Sequence, residues 1–136
     1  MLPPKELYAK LVYSLEKDHP SIERLSLAFY TISSFEGRLK GEIVFRGDIV
    51  LRVSETIDFE AGVIQQYSYA VYRGDEKLYW YDPQPHPDDP SLASTFPHHK
   101  HIPPNIKHNR VPAPGISFDE PNLPFLIEEI EQTLLK

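Results

Sequence analysis

Residues 95–110, "TFPHHKHIPPNIKHNR", place four histidines, two lysines and an arginine in sixteen positions without one acid. The chain around them is acidic, with a formal net charge of −6 at pH 7. Imidazole ordinarily titrates near neutrality, so it can serve as general acid, general base or metal ligand. If 98–102 is extended, His99 and His101 face one way while His98 and Lys100 face the other. Two imidazoles one residue apart on one side of a strand can converge on a single ion or a single phosphate.

Three uses fit this arrangement. In the first, a metal such as zinc takes His99 and His101, with His86, His108 or Asp82 completing three ligands and leaving a position open for water. In the second, no metal is needed: the histidines act as acid and base in cleaving a phosphodiester, while Lys100, Lys107 and Arg110 hold the phosphate and stabilise charge developing on it. In the third, the segment is a polar loop whose histidines bond the backbone or present a cationic patch to a partner protein. Residue types and spacing leave all three open.

Elements must hold these residues in place. Pro3 and Pro4 suit a helix start, and Leu7, Tyr8, Leu11, Val12 and Leu15 follow at helical spacing until His19-Pro20, which predicts a helix over 4–18. From Ile22 the period becomes two, through Leu25, Leu27 and Phe29, and "SSFEG" then turns the chain. A second strand carries Leu39, Gly41, Ile43 and Phe45 on one side, and Gly47-Asp48 turns into a third over 49–59. A fourth runs over 63–73, and Gly74-Asp75 leads into a fifth, "KLYWYD". Links this short demand antiparallel neighbours. The expectation is a five-stranded meander over 22–82.

Near the end, Leu123, Leu126, Ile127, Ile130 and Leu134 form a helical stripe over 122–135, with Asn122 as N-cap. The fold class is α+β in one domain over 1–136, two helices against one sheet. Between them, 83–118 shows no period. Eleven of the fourteen prolines lie at or after Pro83, and five of the six histidines between His86 and His108. Leu92, Phe96, Ile102, Ile106, Val111, Ile116 and Phe118 recur through it like anchors, so an ordered Pro/His-rich loop over the sheet is expected, not disorder.

Two features interrupt the pattern. Glu55 shares strand parity with Ile49, Leu51, Val53, Ile57 and Phe59; it is paired, protonated, displaced by a bulge, near an edge, or a site carboxylate. Tyr67, Tyr69, Tyr72, Tyr79, Trp80 and Tyr81 crowd two neighbouring strands, where aromatic pairs stabilise a sheet and could also stack on bases.

The totals exclude some classes. With no cysteine, there is neither disulfide nor thiolate metal site. The charges spread through "MLPPKELYAKLVYSLEKDHP" are unlike a signal peptide, and no apolar run approaches a membrane span, so a cytoplasmic protein without membrane association is expected. The negative charge argues against broad binding to nucleic acid, though a local cationic cleft remains compatible with RNA.

"LYWYDPQPHPDDP" followed by "TFPHHKH" resembles the TumE family of bacterial and archaeal toxin–antitoxin toxins, through Tyr81, Asp82, Pro85-His86 and Phe96 to His101. "RGDIVLRVSETI" is similar to the family strand that carries a glutamate, here Glu55, although the preceding turn reads Gly-Asp-Ile where Asp-Gly-Ser is frequent. The resemblance implies a toxin paired with a helix-turn-helix antitoxin, and by class analogy an RNA-cleaving one. The mechanism rests on the residues and not on the resemblance: His99 and His101 are expected as base and acid, with Lys100 and Arg110 on the phosphate and Asp82 or Glu55 orienting an imidazole. His86, His98, Lys107, His108, Arg110 and Tyr81 are the expected substrate contacts. No cofactor is expected, or else zinc on His99, His101 and His86. A non-catalytic module whose cationic loop docks a partner and a zinc hydrolase remain the alternatives. A homodimer through an edge strand is compatible with all of them.

Overall fold

The computed structural model describes all 136 residues. Helix α1 spans Lys5–Asp18 behind Pro4 and buries Tyr8, Val12 and Leu15, one residue per turn. Leu7, assigned to that stripe by its spacing, is instead 57% exposed. Helix α2 (Leu123–Thr133) buries Leu123, Leu126, Ile127 and Ile130. Asn122 stands at its N-cap without capping it. The Asn122 amide is used elsewhere, donating to Tyr69 Oη and to the Ser117 carbonyl and accepting from the Ser117 N–H.

Eight strands, all paired antiparallel, replace the expected five. They are β1 (Ile22–Leu25), β2 (Ala28–Thr31), β3 (Glu36–Phe45), β4 (Ile49–Asp58), β5 (Val63–Arg73), β6 (Glu76–Asp82), β7 (His99–His101) and β8 (Arg110–Pro112). Their order is β1-β3-β4-β5-β6-β7-β8, with β2 also paired to β3. The first difference from the meander lies at Gly41, whose φ is +147°. A Cβ there would stand 2.1 Å from the Ser26 carbonyl oxygen. The backbone at Ser26-Leu27 crosses against this glycine, so one expected strand becomes two, β1 beside Ile43–Phe45 and β2 beside Gly37–Lys40.

The second difference is that the Pro/His-rich segment extends the sheet. It contains a short 3-10 helix, Pro90–Thr95, and then β7 and β8. Leu92, Ala113 and Ile116 anchor it, and the Ile64 N–H bonds the Phe118 carbonyl at 2.6 Å. Phe96, expected among the anchors, is 51% exposed.

One face of the sheet packs on the helices. Its row on β4 is Ile49, Leu51, Val53, Glu55 and Ile57, all buried, while Arg52, Ser54 and Thr56 alternate onto the other face. Parity therefore holds through Glu55; the irregularity against β5 falls after it, between Thr56 and Ile57. No helix is long and apolar enough to cross a membrane.

Candidate functional site

Register builds the site. Antiparallel pairing sets Trp80 opposite His101 and Asp82 opposite His99, and directly opposed residues project from the same face. This is the face turned away from the helices. His99 Nε2 and His101 Nε2 are 3.1 Å apart, His101 Nε2 is 3.1 Å from Asp82 Oδ2, and His99 Nε2 is 3.2 Å from Asp82 Oδ1. Both histidines are buried, at 1% and 5% exposure.

Each ring is held from behind. His99 Nδ1 lies 3.1 Å from the Pro97 carbonyl oxygen and His101 Nδ1 3.0 Å from that of Ile106. A carbonyl only accepts, so each Nδ1 carries the proton and each Nε2 of a neutral ring presents a lone pair. The carboxylate is oriented as well: the Gln84 N–H donates to Asp82 Oδ1 and Trp80 Nε1–H to Asp82 Oδ2, both at 2.9 Å. The His101 ring stacks on Trp80 with centroids 3.9 Å apart.

Burial works to raise the Asp82 carboxyl, but bonds from His99, the Gln84 N–H and Trp80 outweigh it and hold the group below the usual carboxylate range. At His99, burial works against the charged ring, and the Asp82 bond with the Pro97 carbonyl reverses it, so the net direction is upward. At His101 burial prevails and the direction is downward.

Beside it, the His86 ring meets His99 edge-on with centroids 4.9 Å apart. Arg110, opposite His101 in the β7–β8 register, brings one terminal nitrogen within 3.0 Å of the His86 ring nitrogens, while its buried Nε–H has no partner. His86 and Arg110 border a depression of about 390 Å³ with Pro85, Pro87, Asp88 and Asp89.

Other expected site residues lie apart. Lys100 Nζ pairs with Glu129 Oε2 of α2 at 3.1 Å, and Tyr81 Oη donates to the same carboxylate at 2.8 Å, both on the helix-covered side. His98 is on that side too, its Nδ1 2.7 Å from Tyr67 Oη. Lys107 and His108 are exposed in the turn between β7 and β8. Glu55 is fully buried, accepting from Tyr8 Oη at 2.7 Å and Tyr69 Oη at 2.5 Å, and is a core group, not a partner of His99. Tyr67, Tyr69, Tyr79 and Tyr81 are likewise buried and offer no free platform for bases.

Two partners were not picked out by motif spacing. Trp80 shares strand parity with Asp82 in "YWYD", a mark of its place beside that carboxylate. Glu129 lies on a helix distant in sequence and carries no such mark. The same helix-free face carries a shallow groove of about 360 Å³ lined by Lys40, Glu42, Arg52, Ser68, Tyr72 and Lys77.

No curated protein and no solved structure matches the chain. A family described as Toxin TumE matches residues 11–134, nearly the whole fold and all of the cluster. A toxin family implies a cognate antitoxin. The chain belongs to the TumE toxin family.

Proposed function

We propose that this chain is the toxin of a toxin–antitoxin pair and that it cleaves RNA at the Asp82–His99–His101 cluster. The observation that carries this reading is the convergence of two imidazole Nε2 atoms and a carboxylate within 3.1–3.2 Å, beside an arginine whose buried Nε–H is unpaired. The reaction is attack of a ribose 2′-oxygen on the adjacent phosphorus: the 2′-hydroxyl proton passes to the cluster as the new bond forms, and the bond to the 5′-oxygen breaks as that oxygen takes a proton from water, leaving a 2′,3′-cyclic phosphate. The cluster activates the attacking oxygen, and the Arg110 guanidinium beside His86 stabilises the charge that grows on the phosphate. With their Nε2 atoms 3.1 Å apart, His99 and His101 work as one unit, not as a separate base and acid on opposite sides of the phosphate. Lys100, paired with Glu129, takes no part.

Local charge supports this reading in an acidic chain: Lys40, Arg52 and Lys77, with Glu42, line a groove on the same face of the sheet as the cluster. The antitoxin in this reading is a helix-turn-helix protein. Induced expression tests the function. Wild type should arrest growth with loss of intact RNA, whereas the His99→Ala/His101→Ala pair should do neither while accumulating as folded protein. Arrest by both with RNA intact would instead identify a toxin that acts by binding.

A further inference from the structure

We propose that Asp82, His99 and His101 form a binding site for one divalent transition-metal ion, with zinc favoured by the donor set. The inference rests on the same cluster as the nuclease reading and says how that cluster acts. Both Nδ1 protons are committed to backbone carbonyls, so the neutral rings turn bare lone pairs toward each other and toward a carboxylate. With no proton on either Nε2, three close approaches then pair acceptor with acceptor, at 3.1, 3.1 and 3.2 Å, His99 Nε2 facing Asp82 Oδ1 and His101 Nε2 facing Asp82 Oδ2. One added proton on His99 Nε2 relieves at most the two approaches that meet there and leaves His101 Nε2 facing Asp82 Oδ2. One metal ion relieves all three.

The spacing agrees. Ligand atoms bonded at about 2.1 Å, at angles between octahedral and tetrahedral, lie roughly 3.0–3.4 Å apart. The surroundings are those that orient metal ligands: each imidazole donates its far N–H to a carbonyl, and the carboxylate accepts from Gln84 and Trp80. Pairing of β6 with β7 holds the donors at fixed positions before any ion arrives. Two imidazoles and one carboxylate suit zinc and its neighbours, whereas magnesium and calcium prefer oxygen throughout. Three protein ligands leave a position for water or a phosphate oxygen, which is the pattern of catalytic zinc. In the nuclease reading the ion would lower the pKa of the attacking oxygen and polarise the phosphate.

Metal analysis of protein purified without a histidine tag, followed by calorimetric titration with Zn²⁺ and visible absorption with Co²⁺, tests the site. The expected result is one equivalent per chain, lost in His99→Ala and weakened at least about 100-fold in Asp82→Asn. His98→Gln, whose side chain lies on the opposite face, should keep full uptake. Wild-type protein that takes up no Zn²⁺ and gives no Co²⁺ ligand-field bands would overturn the proposal, as would uptake undiminished in His99→Ala. Metal binding and RNA cleavage are separate readouts. A protein that cuts RNA but binds no metal overturns the site and leaves the nuclease reading standing. One that binds zinc and spares RNA supports the site and removes the nuclease reading.

Discussion

Glu55 is a carboxyl fully buried between Tyr8 and Tyr69, so its charge bears on stability. Burial pushes its pKa up, and the bonds from Tyr69 and Tyr8 only partly oppose that. A carboxyl whose pKa is higher in the folded state favours folding at pH below its ordinary value, and that contribution is lost as pH rises toward the folded-state value. Glu55→Gln keeps the shape and removes the charge. Its melting temperature should therefore gain on that of wild type as pH rises from about 4 toward neutrality. Equal pH dependence of the two proteins would mean that Glu55 titrates alike folded and unfolded. Trp80 makes a complementary case. Trp80→Phe retains an aromatic ring for His101 but removes the N–H that orients Asp82, so cleavage should fall by about 10–100-fold with little change in melting temperature. Restoring a donor at this position with Trp80→His should recover part of the rate if orientation of Asp82 is the cause.

Among the elements, Gly41 is the most exacting position. Its Cβ would overlap the Ser26 carbonyl, and its φ is one that other residues rarely adopt. Gly41→Ala should cost at least about 2 kcal/mol, read as a lowered denaturation midpoint. A variant as stable as wild type would mean that the crossing between β1 and β2 can be moved freely. This crossing also explains why two strands were read as one: the alternation of Leu25, Leu27 and Phe29 continues straight through it, because period reports which face a residue occupies and not which part of the partner strand it pairs with. Both helices and β3 to β6 were legible, since each is long enough for a period to repeat and Gly47-Asp48 and Gly74-Asp75 mark the turns. Strands of three residues, such as β7 and β8, give no period; only the His-x-His spacing hinted at β7.

Across the molecule, cations gather on the helix-free face, where Lys40, Arg52 and Lys77 line the groove together with Glu42, while α2 on the other side carries Glu128, Glu129 and Glu131. The exposed Arg52–Glu42 pair contributes little to stability, so its lysine and arginine neighbours can be tested without unfolding the protein. Arg52→Ala/Lys77→Ala should weaken RNA binding across sequences alike and reduce the slope of log affinity against log salt by about one to two. An unchanged slope would place the RNA elsewhere. The cluster itself was half legible: His99 and His101 follow from spacing and strand parity and Asp82 was one of three candidates beside them, whereas the burial of Glu55 against Tyr8 and the diversion of Lys100 to Glu129 depend on helices far away in sequence. The borders of the sheet carry a different consequence. One is formed by β1 and β2, four residues each and separated by the crossing, and the other by β8, three residues ending at Pro112. So little unpaired backbone is left on either border that a binding partner gains few main-chain bonds by adding a strand. The side chains of its two faces therefore offer the larger surface for contact.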